Sequence, residues 1–206
     1  QRLREMEWQN KYNPFSLAIL FSIEVGTRVG EIPPLRWSDI ENGQIHIHRQ
    51  QLIDKVKGGW TFHEVDYTKD ERRNPHDGRW FPITDAIQEI LDACREYQDG
   101  LHLEKPSEFI FCYDDGTWIR NTSIVLHLKR DCQKLGFHIT NNHALRMSLN
   151  SNVLIPAGFD DQQRAYLLGH SVRTNLQFYS HTRRESVLGA KEILNNFSNE
   201  KINSAS

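Results

Sequence analysis

The chain has few means of covalent bracing or membrane anchoring. Its 206 residues include only three cysteines, Cys94, Cys112 and Cys132, whose spacing makes neither a disulfide framework nor a zinc-type pair. So sparse and odd a count suits small core thiols in a reducing cytoplasm. No apolar run approaches the length of a membrane span, and the first residues carry no signal-peptide pattern, so the expectation is no membrane partner. Phosphate-binding glycine loops, internal repeats and low-complexity tracts are missing too, which speaks against nucleotide hydrolysis and against a solenoid.

Hydrophobic residues make up 38% of the chain, enough for one well-buried core. The net charge of −2 hides an uneven distribution. Residues 85–115 hold nine acids against two bases, whereas residues 120–184 hold nine bases against three acids. One basic face on an otherwise acidic molecule can grip a polyanion, although such blocks are often only solvated surface.

The pattern predicts a mainly helical domain with one small antiparallel sheet in its first third, an α+β fold. Asn13-Pro14 reads as a helix start, with Leu17, Leu20 and Phe21 on its apolar side and Gly26 as its stop. A short helical stretch follows Arg28, broken around Pro33-Pro34. A turn at Glu41-Asn42-Gly43-Gln44 leads into a strand carrying Ile45 and Ile47. Two more extended pieces fall near 60–69 and 79–83, with 70–78 as a hairpin tip. Thr84 caps a helix bearing Ile87, Ile90, Leu91 and Cys94; Asn121 caps another, with Val125, Leu128, Cys132 and Leu135 inward. Further helices are expected near 142–153, 160–167, 174–181 and 185–197.

The residues with chemical potential cluster late in the chain. His143 and Arg146 are three apart on a predicted helix and share a face. Leu168-Gly169-His170 follows, and Tyr179 lies nine positions after that histidine, while Arg28 stands far upstream. Arginines bind phosphate as planar forks, histidines move protons near neutrality, and a phenolic oxygen can attack phosphorus. Singly, each residue has a plainer explanation as a cap, an ion pair or a core aromatic. Their conjunction carries the argument.

These residues resemble the two signature boxes of the tyrosine recombinases, in particular the integrases of phages and conjugative transposons. The first box reads Gly26-Thr27-Arg28-x-x-Glu31, then Leu35-x-Trp37-x-Asp39. The second reads His143-x-Leu145-Arg146, Gly158, Leu168-Gly169-His170-Ser171, Thr174 and Tyr179-x-His181. The resemblance implies the tyrosine recombinase catalytic-domain fold and a site-specific recombinase that cleaves and rejoins DNA through a 3′-phosphotyrosine, without metal or ATP. In that scheme Tyr179 is the nucleophile, Arg28 and Arg146 clamp the phosphate, His143 takes or positions the tyrosine proton, and His170 contacts the phosphate or orients the nucleophile. Glu31 is a helper that orients the cluster. Lys69, in Tyr67-Thr68-Lys69, is the best match to the family's general acid, with Lys55 and Lys57 as competitors. Arg72, Arg73, Arg120, Lys129, Arg130 and Arg173 are the expected contacts to the DNA backbone. Met147 and Ser148 stand where the family usually has histidine and threonine.

The resemblance further implies double-stranded DNA as partner, a monomer when free, a homotetramer on DNA, and a place in the cytoplasm of a bacterial or phage-infected cell, at the nucleoid. Residues 1–206 read as a single catalytic domain without the amino-terminal DNA-binding modules, which by itself binds DNA weakly. The stripe Val187, Leu188, Ile193, Leu194 and Phe197 in the 185–206 tail packs either on its own domain or on a neighbouring protomer. Two other functions fit parts of the pattern: a non-catalytic DNA-binding or synapsis module, and a type IB topoisomerase that nicks and reseals one strand. His46 with His48, and His138 with His143, lack a third ligand at a suitable spacing, so no metal ligands are assigned and no cofactor is expected.

Overall fold

A computed structural model describes residues 1–69, 78–138 and 141–169. The helices predicted near 174–181 and 185–197, and most of the hairpin tip, lie outside the described residues.

The helix α2 (Pro14–Val25) forms the centre of the domain. Asn13 Oδ1 accepts from the Phe15 amide at 2.9 Å, and Pro14 follows at the first helical position, as the sequence predicts. Leu17 through Phe21 are buried without a break, so α2 is wrapped on all sides rather than amphipathic. It packs against α1 (Arg2–Gln9), α3 (Asp85–Asp99), α4 (Asn121–Lys134) and α5 (His143–Leu149). Phe21 meets Phe111 edge to face, with centroids 5.5 Å apart. Thr84 caps α3 through the Ile87 amide and sends Ile87, Ile90, Leu91 and Cys94 inward, as expected.

The strands form two sheets rather than the single one predicted. In the first, β1 (Ile40–Glu41), β2 (Gln44–Ile47) and β5 (Arg79–Pro82) run antiparallel in the order β1-β2-β5. Its register sets Ile45 opposite Phe81 and Ile47 opposite Arg79. The second is a hairpin of β3 (Gln50–Val56) and β4 (Gly59–Val65), so β4 and β5 do not flank a common hairpin tip as predicted but lie in different sheets. The sequence pattern missed β3 because it lacks alternation: Gln50 and Gln51 are both buried. Gln51 is satisfied by the Ile119 carbonyl at 3.2 Å and the Asn121 amide at 2.8 Å.

Those bonds also explain a correction at α4. Asn121 is its first residue, after Arg120 at the cap, and its side chain turns inward instead of capping. The buried face of α4 carries Ile124, His127, Leu128, Asp131 and Cys132; Leu135 packs against the core as expected, while Val125 is only half-buried and the polar His127 and Asp131 turn inward. Past α5 the chain winds through one π-helical segment, Asn150–Leu154, and then α6 (Asp161–Leu168), capped by Asp160. Among the described residues no helix is long and apolar enough to cross a membrane.

Candidate active site

The C-terminal ends of α2 and α6 and the start of β5 converge beside α5. Gly26 closes α2 in the left-handed conformation (φ 65°) and lies so tightly against its neighbours that a Cβ there would sit 2.9 Å from both Leu149 and Leu168. This contact sends Thr27-Arg28 toward α5. Gly169 ends α6 in the same way (φ 59°), and a Cβ would meet the Arg79 guanidinium at 2.9 Å. Its carbonyl points into the cluster and accepts from both Arg28 Nη2 and Arg146 Nη2, the latter at 3.4 Å. A single backbone oxygen thus joins the two arginines that the sequence separates by over a hundred residues.

Glu31 is the buried counterweight. Its carboxylate has no solvent exposure and accepts from the Arg28 amide and from Arg28 Nη1, both at 2.9 Å. Arg79 binds it as a fork, Nη2 to Oε2 at 2.6 Å and Nη1 to Oε1 at 3.2 Å. Burial alone would raise the Glu31 pKa. The charges of Arg79 and Arg28, the Arg79 hydrogen bond and the charge of Arg146 outweigh it and hold the carboxyl well below the usual range. Glu31 is therefore ionised wherever the protein is folded and neutral or basic in pH.

Arg146 is 1% exposed, and its Nη1 donates to the Gly26 carbonyl at 2.8 Å. Beside it Asn142, also buried, donates to the Thr27 carbonyl at 2.8 Å. Three guanidiniums in this cluster face one carboxylate. The surplus positive charge suits a site built to receive an anion.

His143 opens onto solvent at the start of α5. Its pKa is lowered from 6.5, first by partial burial and then by the charges of Arg146, Arg28 and Lys69. Both effects favour the neutral imidazole, the form that can accept a proton. Lys69, exposed next to the buried Thr68, contributes the smallest of these charge effects. Lys55 and Lys57 lie exposed around the turn of the β3–β4 hairpin. A pH dependence follows. The acid limb of any reaction that uses neutral His143 should fall below pH 6.5, and Lys69→Met should move it upward, because one repelling charge is gone. A pH–rate profile with and without that change checks the sign; a downward shift would contradict it.

The structure brings together Arg28, Glu31, His143, Arg146 and Lys69 of the sequence-predicted set. His170, Tyr179, Arg72, Arg73 and Arg173 lie outside the described residues. Arg120, Lys129 and Arg130 are exposed around α4: Arg120 stacks over the Phe62 ring at 5.0 Å, and Arg130 Nη2 lies 2.8 Å from His127 Nδ1. Sequence reasoning missed Arg79, which grips Glu31 and also donates to the Leu167 carbonyl at 3.0 Å. A signal existed. Arg79 shares a strand face with Phe81, and an arginine in phase with a core residue needs a buried partner. One cavity of about 960 Å³ is an apolar groove lined by Phe81, Leu145, Leu149, Leu154, Phe159 and Leu167. It adjoins the back of α5 and shares no side chain with the arginine cluster.

Paired guanidiniums over a buried carboxylate, with a histidine and a lysine at the rim, make a cationic site suited to an anion. The chain belongs to the phage integrase family of tyrosine recombinases, whose family model matches residues 4–186. Its fold resembles that of the Tn1549 transposon integrase in complex with transposon right end DNA, with a TM-score of 0.68 and 21% identity over 88% of this chain and 58% of that one. It is also similar to XerA recombinase, with a TM-score of 0.64 and 18% identity over 92% of this chain and 60% of that one. A lambda integrase dimer bound to a COC′ core site matches with a TM-score of 0.53 and 19% identity, over 86% of this chain and 58% of the other. The chain therefore spans about three fifths of the length of these solved proteins. No curated protein sequence matches it.

Proposed function

We propose that the chain carries the catalytic domain of a site-specific DNA recombinase, an integrase that cleaves and rejoins strands through a phosphotyrosine. One observation supports this reading most: Arg28 and Arg146 converge on the Gly169 carbonyl, one residue before His170, over a carboxylate that fixes the first of them. Membership of the phage integrase family, and structural neighbours solved on DNA, support it further.

In this mechanism the scissile phosphate takes its place against the guanidiniums of Arg28 and Arg146. The Tyr179 oxygen attacks phosphorus as His143 accepts or steers its proton, and the bond to the 5′-oxygen breaks. Lys69 gives a proton to the departing 5′-oxygen. The products are a 3′-phosphotyrosine and a free 5′-hydroxyl, and attack by a 5′-hydroxyl from a second duplex reverses the step and completes exchange. The two forks hold the charge that builds on the pentacoordinate phosphorus, and His170 adds a hydrogen bond to it. Because the ester bond energy stays in the phosphotyrosine, the cycle needs neither ATP nor a catalytic metal. Glu31 and Arg79 act through Arg28, as positioning residues.

Arg120, Lys129 and Arg130, with Arg72, Arg73 and Arg173, bind backbone phosphates of double-stranded DNA. The apolar groove behind α5 suits the stripe of Val187, Leu188, Ile193, Leu194 and Phe197, given by the same chain or by a neighbour in a tetramer on DNA. A two-site assay tests the outcome of the chemistry. Covalent adduct on a nicked duplex together with products joined between two duplexes is expected. Plasmid relaxation without any exchange would identify a topoisomerase instead, and DNA binding without adduct would identify a non-catalytic module.

A further inference from the structure

Helix α4 buries two polar residues that the recombinase reading leaves without a task. His127 and Asp131, four apart on its inner face, are 7% and 2% exposed. Opposite them, α1 contributes Glu7, whose carboxylate is fully buried. His127 Nε2 lies 2.8 Å from Asp131 Oδ2, 3.5 Å from Glu7 Oε2 and 3.3 Å from the Ser16 hydroxyl on α2. Neither Glu7 oxygen has a hydrogen-bond partner among the described residues. A buried carboxylate without a donor is costly, and three helices converge on this one.

The geometry points to a site for a divalent cation of the zinc class, held by Glu7, His127 and Asp131 with the Ser16 hydroxyl as fourth ligand, which staples α1 to α4. The donor set is one imidazole nitrogen and oxygens, the mixture that Zn²⁺ accepts. Bonds of about 2.0 Å to a tetrahedral ion separate its ligands by roughly 3.3 Å. The separations of 2.8, 3.3 and 3.5 Å around Nε2 bracket that edge, and one ligand atom from each of the three charged residues falls within 4.8 Å of the others. Two carboxylates balance the dication. Asp131 Oδ1 stays on Lys134 Nζ, at 2.6 Å, which orients the carboxylate from behind.

Binding changes the tautomer of His127. Without metal, Arg130 Nη2 sits 2.8 Å from Nδ1, so that nitrogen accepts and Nε2 carries the proton toward Asp131. With metal, Nε2 gives its lone pair to the ion, the single ring proton moves to Nδ1, and the exposed Arg130 side chain turns away. The site lies on other helices than the residues proposed for strand cleavage, and its ion takes no part in that reaction.

The test uses the chain stripped with a chelator and then titrated with Co²⁺ alone. One equivalent should give the visible bands of tetrahedral cobalt, and Zn²⁺ should displace it. Thermal melting should rise by several degrees on adding Zn²⁺. Glu7→Gln should abolish the bands and the rise, lowering affinity at least a hundredfold. Without metal, that variant should melt at or above the wild type, since an amide replaces a stranded carboxylate; this verifies that it folds. Identical cobalt spectra for the two proteins would assign the metal to other histidines and overturn the site. A wild type whose melting ignores Zn²⁺ would also overturn it.

Discussion

Arg146→Ala should slow strand cleavage by about 10²–10³-fold while changing DNA affinity by less than about tenfold. Arg28→Ala should do the same. The asymmetry follows from where charge appears. In the ground state a phosphate diester carries one negative charge, shared with every basic residue along the duplex. In the transition state more charge gathers on the oxygens that the two guanidiniums face, so their contribution is greatest there. Arg146→Lys is the sharper variant, because it keeps the charge and loses the fork. The present side chain donates at once to the Gly26 and Gly169 carbonyls, and an ammonium on a flexible stem cannot hold that plane. Single-turnover cleavage and a binding isotherm on the same duplex separate the two quantities. Equal losses in both would mean that the arginines only grip DNA.

Arg79→Ala should destabilise the fold by about 3–5 kcal/mol, because it strands the fully buried Glu31 without its two-point partner. Urea unfolding measures it. Glu31→Gln in the same chain should recover part of the loss, and the double change should cost less than the sum of the single ones. The pH dependence has a definite sign. Glu31 has a folded pKa far below its ordinary 4.5, so its stabilisation is complete above about 4.5 and is lost as the pH falls further. Without Arg79 that acid-side slope should flatten. Cleavage should fall as well, since Arg28 leans on the same carboxylate. An Arg79→Ala protein as stable as the parent would refute the proposed part of Glu31 as a hub.

Much of this was legible in the sequence, for local reasons. Asn13-Pro14 and Gly26 mark the ends of α2 because capping needs particular residues at particular places. Arg28, Glu31, His143 and Arg146 stood out as signature positions, and all four meet in space. What escaped notice depends on distant partners. α1 is mostly polar, with Leu3 and Glu7 its buried residues, so it shows no apolar stripe. Gln51 in β3 looks like surface until Ile119 and Asn121 arrive from the far side of the chain. The backbone oxygen of Gly169, where both arginines meet, leaves no mark in a string of side-chain names. Arg79 was the one missed residue whose strand phase gave it away.

Mass spectrometry of the covalent adduct bears most directly on the central claim that Arg28 and Arg146 present one phosphate to Tyr179. On a nicked duplex spanning its recombination site, the protein should accumulate adduct, and the modified peptide should carry a nucleotide on the Tyr179 oxygen. Tyr179→Phe should yield none while still binding the duplex. Undiminished adduct in that variant, or a nucleotide attached to any other residue, would contradict the account.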